Sequence, residues 1–191
     1  MNVDVFFHYL NYFSFNSIVI LSYFFICLVV VFLNFLSHDK INDFFLFRRG
    51  SLLNPMTYFR LVLSGICHSN WAHFRNNFIT ILLIGPLLEE KYGSLNLLYM
   101  LIITTVVSSL VHLFIYDSGA IGASDNVYML IVLCSIVNIS DGKIPITLIL
   151  IILFYVVDEV IKQFSKKKDN ISHDSHIVGA ICGFIFGYFV F

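Results

Sequence analysis

Ser17-Ile18-Val19-Ile20-Leu21-Ser22-Tyr23-Phe24-Phe25-Ile26-Cys27-Leu28-Val29-Val30-Val31-Phe32-Leu33-Asn34-Phe35-Leu36 carries no charge and almost no polarity. A helix of that length rises about 30 Å, the thickness of the hydrocarbon core of a bilayer. Working outward, five further apolar blocks fall at about 71–88, 95–116, 124–139, 144–161 and 175–191. The 191-residue chain is 59% hydrophobic and only 12% charged, too few charges to cover the surface of a soluble domain of this size. The apolar residues also come in blocks rather than one-sided stripes, so the expected solvent is lipid. Helices are the expected elements, because isolated strands cannot satisfy their backbone in hydrocarbon. The sequence therefore predicts an all-α membrane protein forming one domain over residues 1–191, without repeats or a low-complexity tail.

Several classes of function drop out on composition. A net charge of −1 offers no electrostatic footprint for nucleic acid. Cys27, Cys67, Cys134 and Cys182 form no CxxC pair, and three of them lie inside apolar runs as small hydrophobes. No cofactor or metal is expected. The N-terminus lacks the basic stretch and small-residue cleavage site of a removable signal, so the first run reads as a retained span. The fourth block is short, which sets its N-terminus below the membrane surface. Between the first two blocks, residues 37–70 form a long connection whose segment Asp43-Phe44-Phe45-Leu46-Phe47-Arg48-Arg49 suits a membrane interface.

Polar residues inside spans are expensive, so each is a functional candidate. His73 and Asn77, four apart on one helix face beside His68, offer two donors to one point in space. Ser124 opens the fourth block with Tyr128 one turn on, where the helix dipole and free N–H groups favour negative charge. The loop before it, 117–123, is built of small residues. His176 shares a face with Gly179, Gly183 and Gly187, two consecutive GxxxG steps that let another helix approach closely. With alternating span direction, Ser124, His176 and His73 reach one membrane face, where a Ser-His general-base pair becomes possible. The competing structural readings are specific. A serine at a span start commonly caps its helix, His112 reads as hydrogen-bonded structure, and Asp158-Glu159 reads as an interfacial helix end. His173, Asp174 and His176 invite a metal, but no HExxH accompanies them.

Taken together, these stretches resemble the rhomboid intramembrane serine proteases. Phe59 to Asn77, containing Arg60, His68, Trp71, His73 and Asn77, is similar to the family's first-loop and second-span signature. Gly85 to Ser94, with Glu89 and Gly93, is similar to its turn after span two. Gly122-Ala123-Ser124 resembles the nucleophile motif, and His176 with Gly179 and Gly183 the general-base helix. The resemblance implies a six-transmembrane-helix bundle with a long, partly membrane-embedded first loop and span five as a lateral gate. It implies Ser124 as nucleophile and His176 as base without a third carboxylate, His73 and Asn77 with the Ser124 N–H as oxyanion donors, and Tyr128 stacked on His176. The expected partners are the lipid bilayer and transmembrane helices of single-span substrates, cut at or near the membrane face. The expected location is multi-pass in a bacterial inner or plasma membrane.

Two departures stand out. Asp125 occupies the position after the nucleophile, where the family usually has glycine, and Phe59-Arg60 replaces a Trp-Arg pair. Asp125 motivates an alternative, a rhomboid-like pseudoprotease that binds membrane helices without cutting them. A small transporter would need charges midway through several spans, which this chain lacks. Basic residues concentrate in the loops after spans one, three and five, which the positive-inside rule assigns to the cytoplasm; the resemblance implies the opposite orientation.

Overall fold

A computed structural model describes residues 14–47, 53–115, 121–137, 143–164 and 173–190. Arg48 and Arg49, loop residues 117–120 and the Lys166-Lys167-Lys168 cluster lie outside these. The regular elements among the described residues are helices and helical turns: α1 (Ile18–Leu36), α2 (Lys40–Phe45), α3 (Pro55–Leu63) running into a 3₁₀ turn (Ser64–Ile66), α4 (Trp71–Tyr92), α5 (Ser94–Ile115), α6 (Ser124–Ile136), α7 (Ile146–Ile151), a π turn (Ile152–Val156), α8 (Val157–Phe164) and α9 (His173–Ile185), extended by a second π turn (Phe186–Val190). Two stretches, Ile18–Leu36 and Ser94–Phe114, are by themselves long and apolar enough to cross a membrane.

Each long helix buries one stripe. In α4 the buried positions are Phe74, Asn77, Phe78, Ile81, Gly85, Leu88, Glu89 and Tyr92, the three-and-four spacing of a single helix face. In α5 the buried face is Leu97, Met100, Leu101, Thr104, Thr105, Ser108, Ser109 and His112, while Leu98, Tyr99, Ile102 and Ile103 point outward. That face is more polar inside than outside, the inverse of a water-soluble helix and the arrangement that a lipid solvent favours. Two of its hydroxyls are used internally: Asn126 of α6 donates to Thr105 Oγ1 at 2.9 Å, and Ser64 and Ser109 share a hydrogen bond of 3.1 Å.

The core sits around α6, which packs against α4, α5, α7 and α9, buries eight of its 13 residues and leaves none fully exposed. A helix of 13 residues rises about 20 Å, so α6 is shorter than the thickness of a bilayer core. The closest packing is α6 on α9. A Cβ at Gly179 would stand 2.1 Å from the Asp125 carbonyl oxygen, and one at Gly183 would stand 2.4 Å from that of Met129. Only glycine lets the two backbones touch.

Two polar devices fix the periphery. Glu89, near the end of α4, accepts hydrogen bonds from Ser17 Oγ, Val19 N–H (3.0 Å), Ile20 N–H (3.1 Å) and Ser94 Oγ (2.7 Å). It thereby satisfies orphan donors in the first turn of α1 from another helix, with its charge at the favourable end of the dipole. In the first loop, Arg60 donates to the carbonyl of Phe44 at 2.7 Å, and Phe59 packs against the rings of Phe44 and Phe45. Phe59-Arg60 thus holds α2 against α3, while Phe47 is buried with Leu61 and Leu113.

Candidate active site

The first donor group is organised by the start of α4. Asn70 caps that helix, its Oδ1 accepting from the His73 N–H at 2.9 Å. His73 Nδ1 shares a 3.1 Å hydrogen bond with Ser69 Oγ, and its ring lies against Gly122. A Cβ on Gly122 would fall 2.5 Å from His73 Cε1 and 2.8 Å from Nε2, and its φ of +114° is itself glycine territory. His73 therefore stands beside the backbone two residues ahead of Ser124. One turn along α4, Asn77 is buried, and its Nδ2 has no hydrogen-bond partner among the described residues. A buried amide donor without a partner is costly unless a ligand or water meets it. His68 sits behind both, boxed by His73, Phe74 and Phe78 at ring distances of 5.1 to 5.7 Å. Burial, then the neighbouring His73, push its pKa down to about 3, with a backbone hydrogen bond at Ile66 pulling the other way.

Ser124 is the first residue of α6, but it does not cap it. The N-cap is Ala123, whose carbonyl accepts the Val127 N–H at 3.0 Å. The Ser124 hydroxyl makes no hydrogen bond among the described residues and is partly accessible, so the capping role weighed above does not apply. Beside it lies a cavity of about 20 Å³ lined by Ser64, Ser108, Ser109, Gly122 and Ser175, room for about one water among hydroxyls. Asp125 is buried facing α5: its carboxylate accepts the Asn126 N–H at 2.8 Å and a hydrogen bond from Ser108. The carboxylate that distinguishes this chain is thus occupied by α5 and by its own helix.

His176 stands on the first turn of α9, one turn before Gly179, on the seam that touches α6. Tyr128 stacks on its ring with centroids 4.3 Å apart and planes 11° from parallel. Among the described residues no hydrogen bond joins Ser124 to His176, which stand on the facing first turns of α6 and α9. The bonded edge of His176 is Nδ1, which lies 2.7 Å from Glu159 Oε2.

Glu159 corrects the sequence reading. Expected at an interfacial helix end, it is 4% exposed and accepts from His173 Nδ1 (2.6 Å) as well as His176, while the Tyr128 hydroxyl donates to its other oxygen at 2.8 Å. The expectation of a base without a carboxylate partner does not describe this arrangement. Asp174 faces the other way, towards His112 on α5 (3.1 Å), which also meets Ser175 at 2.8 Å. Hence His173, Asp174 and His176 do not converge as a metal trio; Glu159, His173 and His176 do, their ligand atoms lying within 4.8 Å of one another. The nitrogen–oxygen separations of 2.6 and 2.7 Å are hydrogen-bond lengths. Ligands arranged tetrahedrally at zinc bond lengths stand about 3.3 Å apart. At these lengths Glu159 accepts a hydrogen bond from each imidazole.

Between α4, α6 and α7 runs a groove of about 690 Å³, its walls including Leu83, Ile84, Tyr128, Ile131, Ile151 and Tyr155. It is apolar along most of its length and reaches Tyr128. The described elements thus form a helical bundle in which a backbone-tight seam carries His176 and an apolar lateral groove reaches Tyr128. The sequence model of the Rhomboid domain matches residues 55–191, and the chain belongs to the rhomboid family, whose members are integral membrane proteins and generally intramembrane serine proteases. No curated protein sequence matches the chain.

Proposed function

We propose that the chain is an intramembrane serine endopeptidase that crosses the membrane six times and cleaves single-span membrane proteins. The observation that carries the reading is the seam of α6 and α9, which sets His176 against the turn that begins with an uncapped Ser124. In this reading α4, α6, the α7–α8 unit and α9 are crossings alongside α1 and α5. The charges of α4 gather at its ends, with Arg75 near one and Glu89, Glu90 and Lys91 near the other. A substrate helix enters by the groove between α4 and α7, unwinds near Tyr128, and presents a small residue to Ser124.

Ser124 Oγ attacks the scissile carbonyl carbon while His176 Nε2 takes its proton. The carbonyl oxygen becomes an oxyanion that the Ser124 N–H, His73 and Asn77 stabilise, Asn77 with the donor left unpaired in the resting site. The C–N bond then breaks, His176 returns the proton to the leaving amine, and a water hydrolyses the acyl-enzyme by the same path in reverse. Hydroxyl and imidazole share no hydrogen bond in the resting site; catalytic hydrogen bonds that tighten only when substrate binds are common among hydrolases.

A fluorophosphonate probe tests this on purified protein. Wild type should label, whereas Ser124→Ala and His176→Ala should not. Labelling that survives Ser124→Ala sinks the nucleophile. That no hydrogen bond joins Ser124 to His176 among the described residues also supports a second reading, a pseudoprotease that holds membrane helices. Wild type that neither labels nor cuts any single-span protein, yet co-purifies with such proteins, establishes it.

A further inference from the structure

We infer that Glu159 is a positioning residue for His176, supplying from span five a carboxylate partner for the Ser124–His176 pair. The inference rests on the catalytic reading above. Glu159 is buried, and the three donors it accepts come from two other helices: Tyr128 on α6, and His173 and His176 at the start of α9. Two of them concern the proposed base directly. The Nδ1 edge of His176 is held by the carboxylate, and one face of its ring is held by Tyr128, whose hydroxyl is fixed by the same carboxylate. The ring is thus fixed in both tilt and rotation.

The chemistry follows from which nitrogen is held. A carboxylate accepts, so Nδ1 carries the proton and Nε2 keeps the lone pair, the tautomer that a general base needs. When Ser124 attacks, its proton moves to Nε2 and the ring becomes an imidazolium beside an anion already in place. Glu159 stays a carboxylate throughout and forms no covalent bond. His173 shares the same oxygen, leaving Lys162 at 3.5 Å and 45% exposed as the cation at the solvent side of the cluster. Local sequence hides this arrangement, because Asp158 and Glu159 are adjacent and only the second turns inward: Asp158 is about half exposed, paired with Lys162 at 2.5 Å. Glu159 lies in the first turn of α8, three residues past the π turn Ile152–Val156, and such turns recur at functional sites.

The test separates positioning from folding by splitting the inactivation constants of the fluorophosphonate probe. Glu159→Gln keeps the shape of the side chain. It should lower kinact about 10- to 100-fold with KI unchanged, since a charge-assisted hydrogen bond is lost but the probe's binding surface is not. His173→Gln should leave kinact within about threefold, because His176 keeps the carboxylate. A second readout does not depend on activity: imidazole ¹⁵N shifts should report His176 protonated on Nδ1 in wild type and as a tautomer mixture in Glu159→Gln, with Glu159→Asp intermediate. Wild-type kinact in Glu159→Gln, or an unchanged His176 tautomer, overturns the inference while leaving the Ser124→Ala result as the separate judge of the protease reading. Labelling that is lost in EDTA and restored by zinc overturns it too, in favour of a metal at Glu159, His173 and His176.

Discussion

Gly179→Ala is a small change with a large expected effect. The added Cβ would stand 2.1 Å from the Asp125 carbonyl oxygen, 2.8 Å from its carbonyl carbon and 3.0 Å from its Cα. All three atoms are backbone, so no rotamer change relieves the clash. Comfortable contact begins at about 3.5 Å, so α6 and α9 must part by more than about 1 Å. Overpacking of this kind costs about 1–3 kcal/mol of stability. The larger effect is on geometry, since a displacement of about 1 Å between reacting groups costs on the order of 10²-fold in rate. Gly187→Ala provides the contrast: its nearest neighbour is the Ile136 side chain at 3.0 Å, which can turn away. Probe labelling and thermal unfolding of the two variants in the same detergent measure both effects. Gly179→Ala labelling at the wild-type rate would show that the seam does not set the distance between Ser124 and His176, and the reasoning would fail.

Three other expectations follow from single features. Asn77→Ala should slow labelling by on the order of 10²-fold or more while leaving the unfolding midpoint almost unchanged, because its donor has no partner to lose in the resting site; a large fall in the midpoint would assign Asn77 to structure. Glu89→Ala should lower stability by about 2–4 kcal/mol, since it orphans donors in the first turn of α1, and chemical denaturation in mixed micelles would report it. His68 is held neutral with its pKa near 3, below its ordinary value. Its contribution is therefore intact above about pH 6.5 and lost as pH falls from there towards about 3, at up to about 1.4 kcal/mol per pH unit. In His68→Phe the acid slope of the unfolding midpoint over that window should flatten, and an unchanged slope would refute the attribution.

The fold was legible where hydrocarbon dictates it. Ser17 to Leu36 predicted α1 to within a residue, and the block at 71–88 stopped short of the observed α4 because Glu89, Glu90 and Lys91 look like a helix end. In fact Glu89 is turned inward to serve α1, and Gly93, at φ +81°, ends the helix. From sequence the block at 144–161 reads as one uninterrupted helix, because nothing in an Ile- and Leu-rich run announces the π turn at Ile152–Val156. The site residues on α4, α6 and α9 stood out because polar groups at three- and four-residue spacing are conspicuous among Leu, Ile and Phe. Glu159 did not, since its meaning lies in partners 14, 17 and 31 residues away rather than in its neighbours. Asn70 as the cap of α4 was missed for a different reason: it precedes a tryptophan and a histidine, not an apolar stripe.

The glycine seam has a bearing on how this molecule tolerates change. Because α6 and α9 meet main chain to main chain at Gly179 and Gly183, their spacing is set by atoms that every residue possesses. Side chains on the lipid side of the bundle, such as Phe154, Ile181 and Phe189, are exposed and play no part in that spacing. The bundle's outer surface is free to drift with the thickness and composition of its host membrane while the inner ruler keeps its length. Adaptation to a new bilayer and preservation of the chemistry are thereby assigned to different atoms.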